Sequence, residues 1–162
     1  MPRADRPHMP GYGVRPASAG LLPWSWAEPR LRASHDYWVA TVRPDGRPHL
    51  MPVWGWWDGS AFWFSSGARS RKARNVAAGS AVSVSLPDTV DPVVLEGTAE
   101  IVTDPAGLQA FLNGLNAKYD TDYAADFIDP DRNATVRVTP ARAFGLRTED
   151  FAGSPTRWTF DP

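Results

Sequence analysis

No cysteine occurs among the 162 residues, so disulfides, thiolate metal sites and cysteine nucleophiles are excluded. Histidine is scarce as well: His8, His35 and His49 are too few and too scattered for a zinc constellation. Metal chemistry is not expected. No stretch approaches the ~18 consecutive apolar residues that a membrane-spanning helix needs, and no cationic segment leads into an apolar run at the N-terminus. A soluble, cytoplasmic protein that does not bind membranes is the expectation. The chain lacks G-x-G-x-x-G and G-x-x-x-x-G-K-S/T, so nucleotide binding of the Rossmann or P-loop kind is not supported. A serine hydrolase is disfavoured too, because there is no nucleophile elbow and no histidine locally tied to a serine.

Acid is missing from one place in particular. Between Asp58 and Asp88 stand Arg69, Arg71, Lys72 and Arg74 with no anion among them, although the net charge of the whole chain is -1. That overall balance argues against nucleic acid as the partner, since domains built for polyanions carry a strong basic excess.

Proline, glycine and tryptophan, by contrast, are plentiful. Residues 1–23 hold five prolines and three glycines, a composition that sustains neither a helix nor a central strand and reads as an N-terminal arm. Residues 24–162 read as one domain, a length sufficient for a self-supporting core. A short amphipathic helix is expected around 26–33. Strands are expected at 35–42, 47–57, 61–66, 81–86, 93–102, 134–139, 141–148 and 156–160, from their aromatic and β-branched content and period-two alternation. "RPDGR" (43–47) supplies a hairpin turn, and Gly97 is a candidate bulge. A helix follows Ser70 as N-cap and stops at Gly79. Another spans 104–119, with Asp104 as N-cap, Pro105 at the first helical position and Leu108, Phe111, Leu112 and Leu115 on one face. Many short antiparallel strands with two or three helices favour a mainly β closed or split barrel.

Two stretches carry chemistry. In "SSGARSRKARN" (65–75), Arg71 and Lys72 fall in the first turn of a helix, where the dipole already disfavours cations. With the free N–H groups of the helix start and the hydroxyls of Ser65, Ser66 and Ser70, they form either a phosphate site or a solvated basic turn. In "HLMPVW" (49–54), Pro48 and Pro52 remove two donors from one side of a strand. That leaves either main-chain groups for the rim of a planar heterocycle or an edge protected against aggregation.

The run "ATVRPDGRPHLMPVWGWWDGSAFWFSS" followed by "SRKARNVAAGSAVSVSL" resembles the flavin-binding split-barrel family of pyridoxamine 5'-phosphate oxidase and its deazaflavin-dependent relatives, over roughly residues 36–102. The tail "TPARAFGLRTEDF...TRWTF" is similar to the closing strands of that superfamily. The resemblance implies a homodimer with two cofactors in clefts between the subunits. It puts cofactor phosphate on Arg71 and Lys72, with Ser65, Ser66 and Ser70 assisting, and the flavin ring along His49, Met51, Pro52, Val53 and Trp54. Arg157–Trp158 is all that is recovered of the basic substrate pattern of true pyridoxamine phosphate oxidases, so vitamin B6 oxidation is not implied.

The wording of the strands instead resembles the branch that uses a 5-deazaflavin, coenzyme F420, with FMN as the alternative. An oxidoreductase transferring hydride to a small electron-poor acceptor is the activity implied. The alternatives are an FMN-dependent oxidase or reductase and a non-catalytic flavin- or haem-binding module. In such enzymes the cofactor carries the chemistry, so no dedicated catalytic residue is expected; His49 either orients or protonates a ligand or simply hydrogen-bonds within its strand. Arg3, Arg6 or Arg15 of the arm either closes over the cofactor or its acidic tail or belongs to a solvated, disordered arm.

Overall fold

Alternating burial sets the first hairpin. Strand β2 (Asp36–Val42) turns Tyr37, Val39 and Thr41 inward and leaves Trp38 and Val42 exposed. It pairs antiparallel with β3 (Pro48–Trp54) across the expected turn, where Gly46 adopts φ +83° and its N–H donates to the Arg43 carbonyl at 2.8 Å. These and the following elements come from a computed structural model that describes residues 1–16 and 19–161.

The remaining elements, in chain order, are β1 (Arg3–Asp5), α1 (Trp24–Ala33), β4 (Trp56–Trp57), β5 (Phe62–Gly67), α2 (Arg71–Ala78), β6 (Ala81–Ser85), β7 (Val93–Val102), α3 (Pro105–Tyr119), β8 (Asn133–Gly145) and β9 (Thr156–Thr159). Short 3-10 turns lie at Ala125–Ile128 and Thr148–Asp150. The sheet is antiparallel throughout, in the order β1-β9-β8-β7-β6-β2-β3, with β5 joined to β8 and β4 to β5. The chain thus adopts the mainly β split barrel expected from sequence. Among the described residues no helix is long and apolar enough to cross a membrane.

Several boundaries differ from the expectation for identifiable reasons. The strand expected at 47–57 breaks at Gly55, where a Cβ would sit 2.2 Å from Phe62 Cζ. The strands expected at 134–139 and 141–148 are one strand, β8, that runs through Pro140. Gly97 faces Pro140 while Glu96 faces Arg142, so Ala141 is the extra residue of a bulge that accommodates the missing proline N–H. The arm is not wholly outside the sheet: Arg3–Asp5 adds an edge strand to β9.

Two clusters form the core. The barrel interior holds Tyr37, Val39, Phe62, Phe64, Val84, Leu95, Val136 and Trp158, closed by Trp24, Ala27 and Leu31 of α1. A second cluster packs Leu108, Phe111 and Leu115 of α3 onto Ala61, Trp63 and Val102. Strands β3 and β5 meet without pairing among the described residues, so the barrel is split at that point.

Candidate functional site

Helix α2 begins at this split. Ser70 is its N-cap in extended conformation, and its Oγ accepts from the Ala73 N–H at 3.1 Å. Ser66 Oγ donates to Ser70 Oγ at 2.8 Å, so both hydroxyls serve the cap, and the Ser70 proton is left to donate outward. Capping therefore claims part of what sequence reasoning assigned to ligand binding. Ser65 makes no side-chain hydrogen bond within the described residues.

The charge at this helix start has no counterpart. Arg3, Arg15, Arg32, Arg47, Arg132, Arg137, Arg147 and Arg157 all form ion pairs. Among the described residues Arg69, Arg71, Lys72 and Arg74 form none. The α2 first turn contains no acid, and partial burial holds the Lys72 ammonium below the usual lysine range. Cations that lower one another's stability and lack a carboxylate are suited to an anion supplied from outside.

A cleft of about 220 Å³ opens beside them, lined by Pro52, Val53 and Trp54 of β3, Ser65 of β5, Lys72 of α2, and Leu115, Tyr123 and Phe127. Five of the ten residues singled out from sequence thus share one cavity. Ser66, Ser70 and Arg71 stand at the helix start beside Lys72. His49 and Met51 lie further along β3, outside the cleft lining. Met51 is exposed, whereas the His49 Nδ1 is buried without a partner. Desolvation, followed by the positive charges of Arg43, Lys72 and Arg71, holds the His49 imidazole below its usual pKa. Among the described residues strand β3 pairs only with β2. Its seven-residue register is unbroken despite Pro48 and Pro52, as expected when proline nitrogens face a free edge.

The opposite wall comes from α3 and the turn after it, and sequence reasoning missed it. Trp54 stacks on Tyr119 with ring centroids 4.4 Å apart and planes at 7°, while His35 meets both rings edge-on. Tyr119 Oη accepts from Gly55 N–H at 2.9 Å and donates to His35 O at 2.6 Å. Lys118 Nζ donates to Gly55 O at 2.8 Å and to Tyr37 Oη at 2.5 Å, and Tyr37 Oη donates to Leu31 O. Burial lowers Lys118 to a pKa of about 8 and raises Tyr119 to about 12. These bonds fasten the end of β3 to α3 and fix the Trp54 ring. Further out, Tyr123 stacks on Phe127 at 4.4 Å. The aromatic residues at 119, 123 and 127 were the available signal, but their meeting with β3 depends on tertiary closure.

A larger cleft of about 470 Å³ lies elsewhere, lined by Met1, Trp24, Glu28, Phe160 and Asp161 among others. It contains none of the predicted residues and presents carboxylates, so it does not suit an anionic ligand. The arm arginines are engaged elsewhere. Arg3 pairs with Asp5, Arg15 with Asp150, and Arg6 donates to the carbonyls of Pro155 and Ala19.

Comparison with known proteins bears on the family and the fold. The family model described as pyridoxamine 5'-phosphate oxidase matches residues 27–147. A solved structure named as an F420 reductase is 30% identical, covers 75% of this chain and 98% of its own, and superposes with a TM-score of 0.60. A conserved hypothetical protein from Mycobacterium tuberculosis is 25% identical over 90% of this chain and 89% of its own, with a TM-score of 0.67. A 5-nitroimidazole antibiotic resistance protein from Bacteroides thetaiotaomicron, so described with reserve, is 11% identical over 84% of each chain at a TM-score of 0.66, which bears on the fold alone. No curated protein matches the chain. A barrel split beside a basic helix start, matched by that family model over most of the chain, makes this protein a member of the pyridoxamine 5'-phosphate oxidase family.

Proposed function

We propose that this protein is an oxidoreductase that binds a flavin-type cofactor in the cleft between β3, β5, α2 and α3, with the deazaflavin coenzyme F420 preferred to FMN. The observation that carries the reading is the set of uncompensated cations at the start of α2, opening onto a cleft whose other side is an unpaired strand edge. The residues present fit such a cofactor. Arg71 and Lys72 would supply charge for its phosphate, the Ser70 hydroxyl and the helix N–H groups would supply neutral donors, and Ser65 lines the same cleft as Lys72. Pro52, Val53 and the fixed Trp54 ring offer a flat apolar surface, while the β3 edge offers main-chain groups to a heterocycle. The name borne by the 30% identical structure favours F420 over FMN.

When bound and reduced, the deazaflavin supplies a hydride; the protein orients an electron-poor acceptor and keeps water away. Trp54, together with Tyr123 and Phe127, performs that orienting and excluding role in this reading. The assembly is a homodimer. Trp38, Val42 and Leu50, which are 41%, 46% and 56% exposed, share the outer face of β2–β3 with Pro48 and Pro52, an apolar patch of the kind that a second subunit covers. The test is a single-turnover mixture of protein, reduced F420 and a panel of electron-poor acceptors. Protein-dependent reoxidation of the coenzyme is expected. Tight binding without any acceleration would make this a binding module instead.

A further inference from the structure

The hairpin between β2 and β3 brings further polar groups to the basic end of the barrel. Thr41 and His49 are register partners. Thr41 is buried, and its Oγ1 accepts from Asn75 Nδ2 at 3.0 Å, which ties α2 to β2 opposite His49. Beside this bond two nitrogens, Arg43 Nε and His49 Nδ1, are buried with no hydrogen-bond partner. The Asn75 Oδ1 of the same side chain is buried without a partner as well; buried polar atoms left unpaired are uncommon and costly, and a ligand is one of the ordinary explanations.

The charges around His49 are all of one sign. Arg43 acts on it from the hairpin, and Lys72 and Arg71 from α2. Strand β5 carries no charged residue, and Asp45 at the hairpin tip is held by Arg47 at 2.7 Å. Among the described residues Arg43 joins no ion pair, in keeping with the other cations at this end.

We propose that Arg43 and His49 belong to the same anion site as Arg71 and Lys72, and that His49 takes up a proton from solvent when the phosphate group of a ligand enters. The proposal rests on reading the start of α2 as a phosphate site. Desolvation and then the three cations disfavour the imidazolium; an incoming anion offsets the cations, so proton uptake becomes more favourable and adds a fourth positive group. No electron moves and no bond other than N–H forms. Proton uptake makes anion affinity rise as pH falls, by at most about tenfold per pH unit for one proton.

Sulfate is the probe, because its charge stays constant through neutral pH whereas that of a phosphate monoester does not. The His49 ring is followed by proton NMR across pH in the full chain, with and without sulfate at matched ionic strength; His49→Gln assigns the signal. Sulfate should raise the His49 titration midpoint in the wild type and have no such effect in the Arg71→Ala/Lys72→Ala variant. Arg43→Gln should raise the midpoint in sulfate-free protein and weaken sulfate binding several-fold. An unchanged midpoint at the highest sulfate concentration, or an Arg43→Gln variant that alters neither quantity, would overturn the proposal. If F420 or FMN still binds through Arg71 and Lys72 in that event, the functional reading survives and only the extension to the hairpin fails. A sulfate response in a protein that binds neither coenzyme would uphold the anion site and defeat the functional reading.

Discussion

Arg71 and Lys72 occupy positions that the fold itself does not favour. They stand in the first turn of α2 with no acid near them, and each cation there opposes the helix dipole by about 0.3–1 kcal/mol. The Arg71→Ala/Lys72→Ala variant should therefore melt no lower than the wild type, and higher by that amount if the dipole term dominates. Calorimetry of the unliganded proteins decides this, and a marked loss of stability would show that the pair is structural. Lys118 behaves differently because burial lowers its pKa from 10.5 to about 8. Between those values the unfolded chain binds more protons than the folded one, so stability should rise with pH from about 8 toward 10. Above 10 the sign reverses, since burial holds Tyr37 and Tyr119 above their usual value of 10.0 and unfolding lets them ionise. Urea unfolding at stepped pH should show the rise in the wild type and its absence in Lys118→Met, with the fall above pH 10 retained. At this level the sequence was informative where chemistry is local. The Ser70 and Asp104 caps follow from residue type and spacing, whereas nothing near Lys118 in the chain foretells its bond to Gly55.

Helix α2 and the β7–β8 ladder illustrate what neighbouring elements add. Gly97 lies at the bulge where β8 carries its extra residue, and a Cβ there would come within 2.1 Å of Thr139 O and 2.9 Å of Pro140 Cα. Both are backbone atoms that cannot swing aside. Gly97→Ala should destabilise the fold by about 2 kcal/mol or more. Gly79→Ala at the end of α2 meets nothing within 4 Å and should shift the denaturation midpoint little. Equal effects of the two substitutions would contradict this account of the bulge. Gly97 was identifiable in advance because a glycine inside an alternating strand marks such a site. The continuity of β8 through Pro140 was not, because proline argues for a break unless the partner strand is known. The break at Gly55 was equally hidden, since the Phe62 ring that requires it comes from another strand.

The distribution of tryptophan describes how the molecule uses its surfaces. Trp24, Trp57, Trp63 and Trp158 are buried, while Trp38 and Trp54 are exposed on the β2–β3 hairpin, where the register sets them on the same outer face and Trp54 also lines the cleft. If the outer face is the subunit interface, Leu50→Glu should give a monomer in sedimentation and lower cofactor affinity as well. A monomer with unaltered affinity would mean that each cleft is complete within one chain. The barrel and the basic helix start were readable from sequence because patterning and charge are written locally. The α3 wall with Tyr119, Tyr123 and Phe127 was not, because it forms only when the barrel closes. On the proposed function, the unpaired cations of α2 hold the phosphate of a redox cofactor. Equilibrium titration of the unliganded protein with F420 and with FMN, alongside the Arg71→Ala/Lys72→Ala variant, addresses that reading most directly. Tighter binding of F420, lost in the variant, is expected. Binding of neither coenzyme, or binding that the variant leaves unchanged, would contradict it.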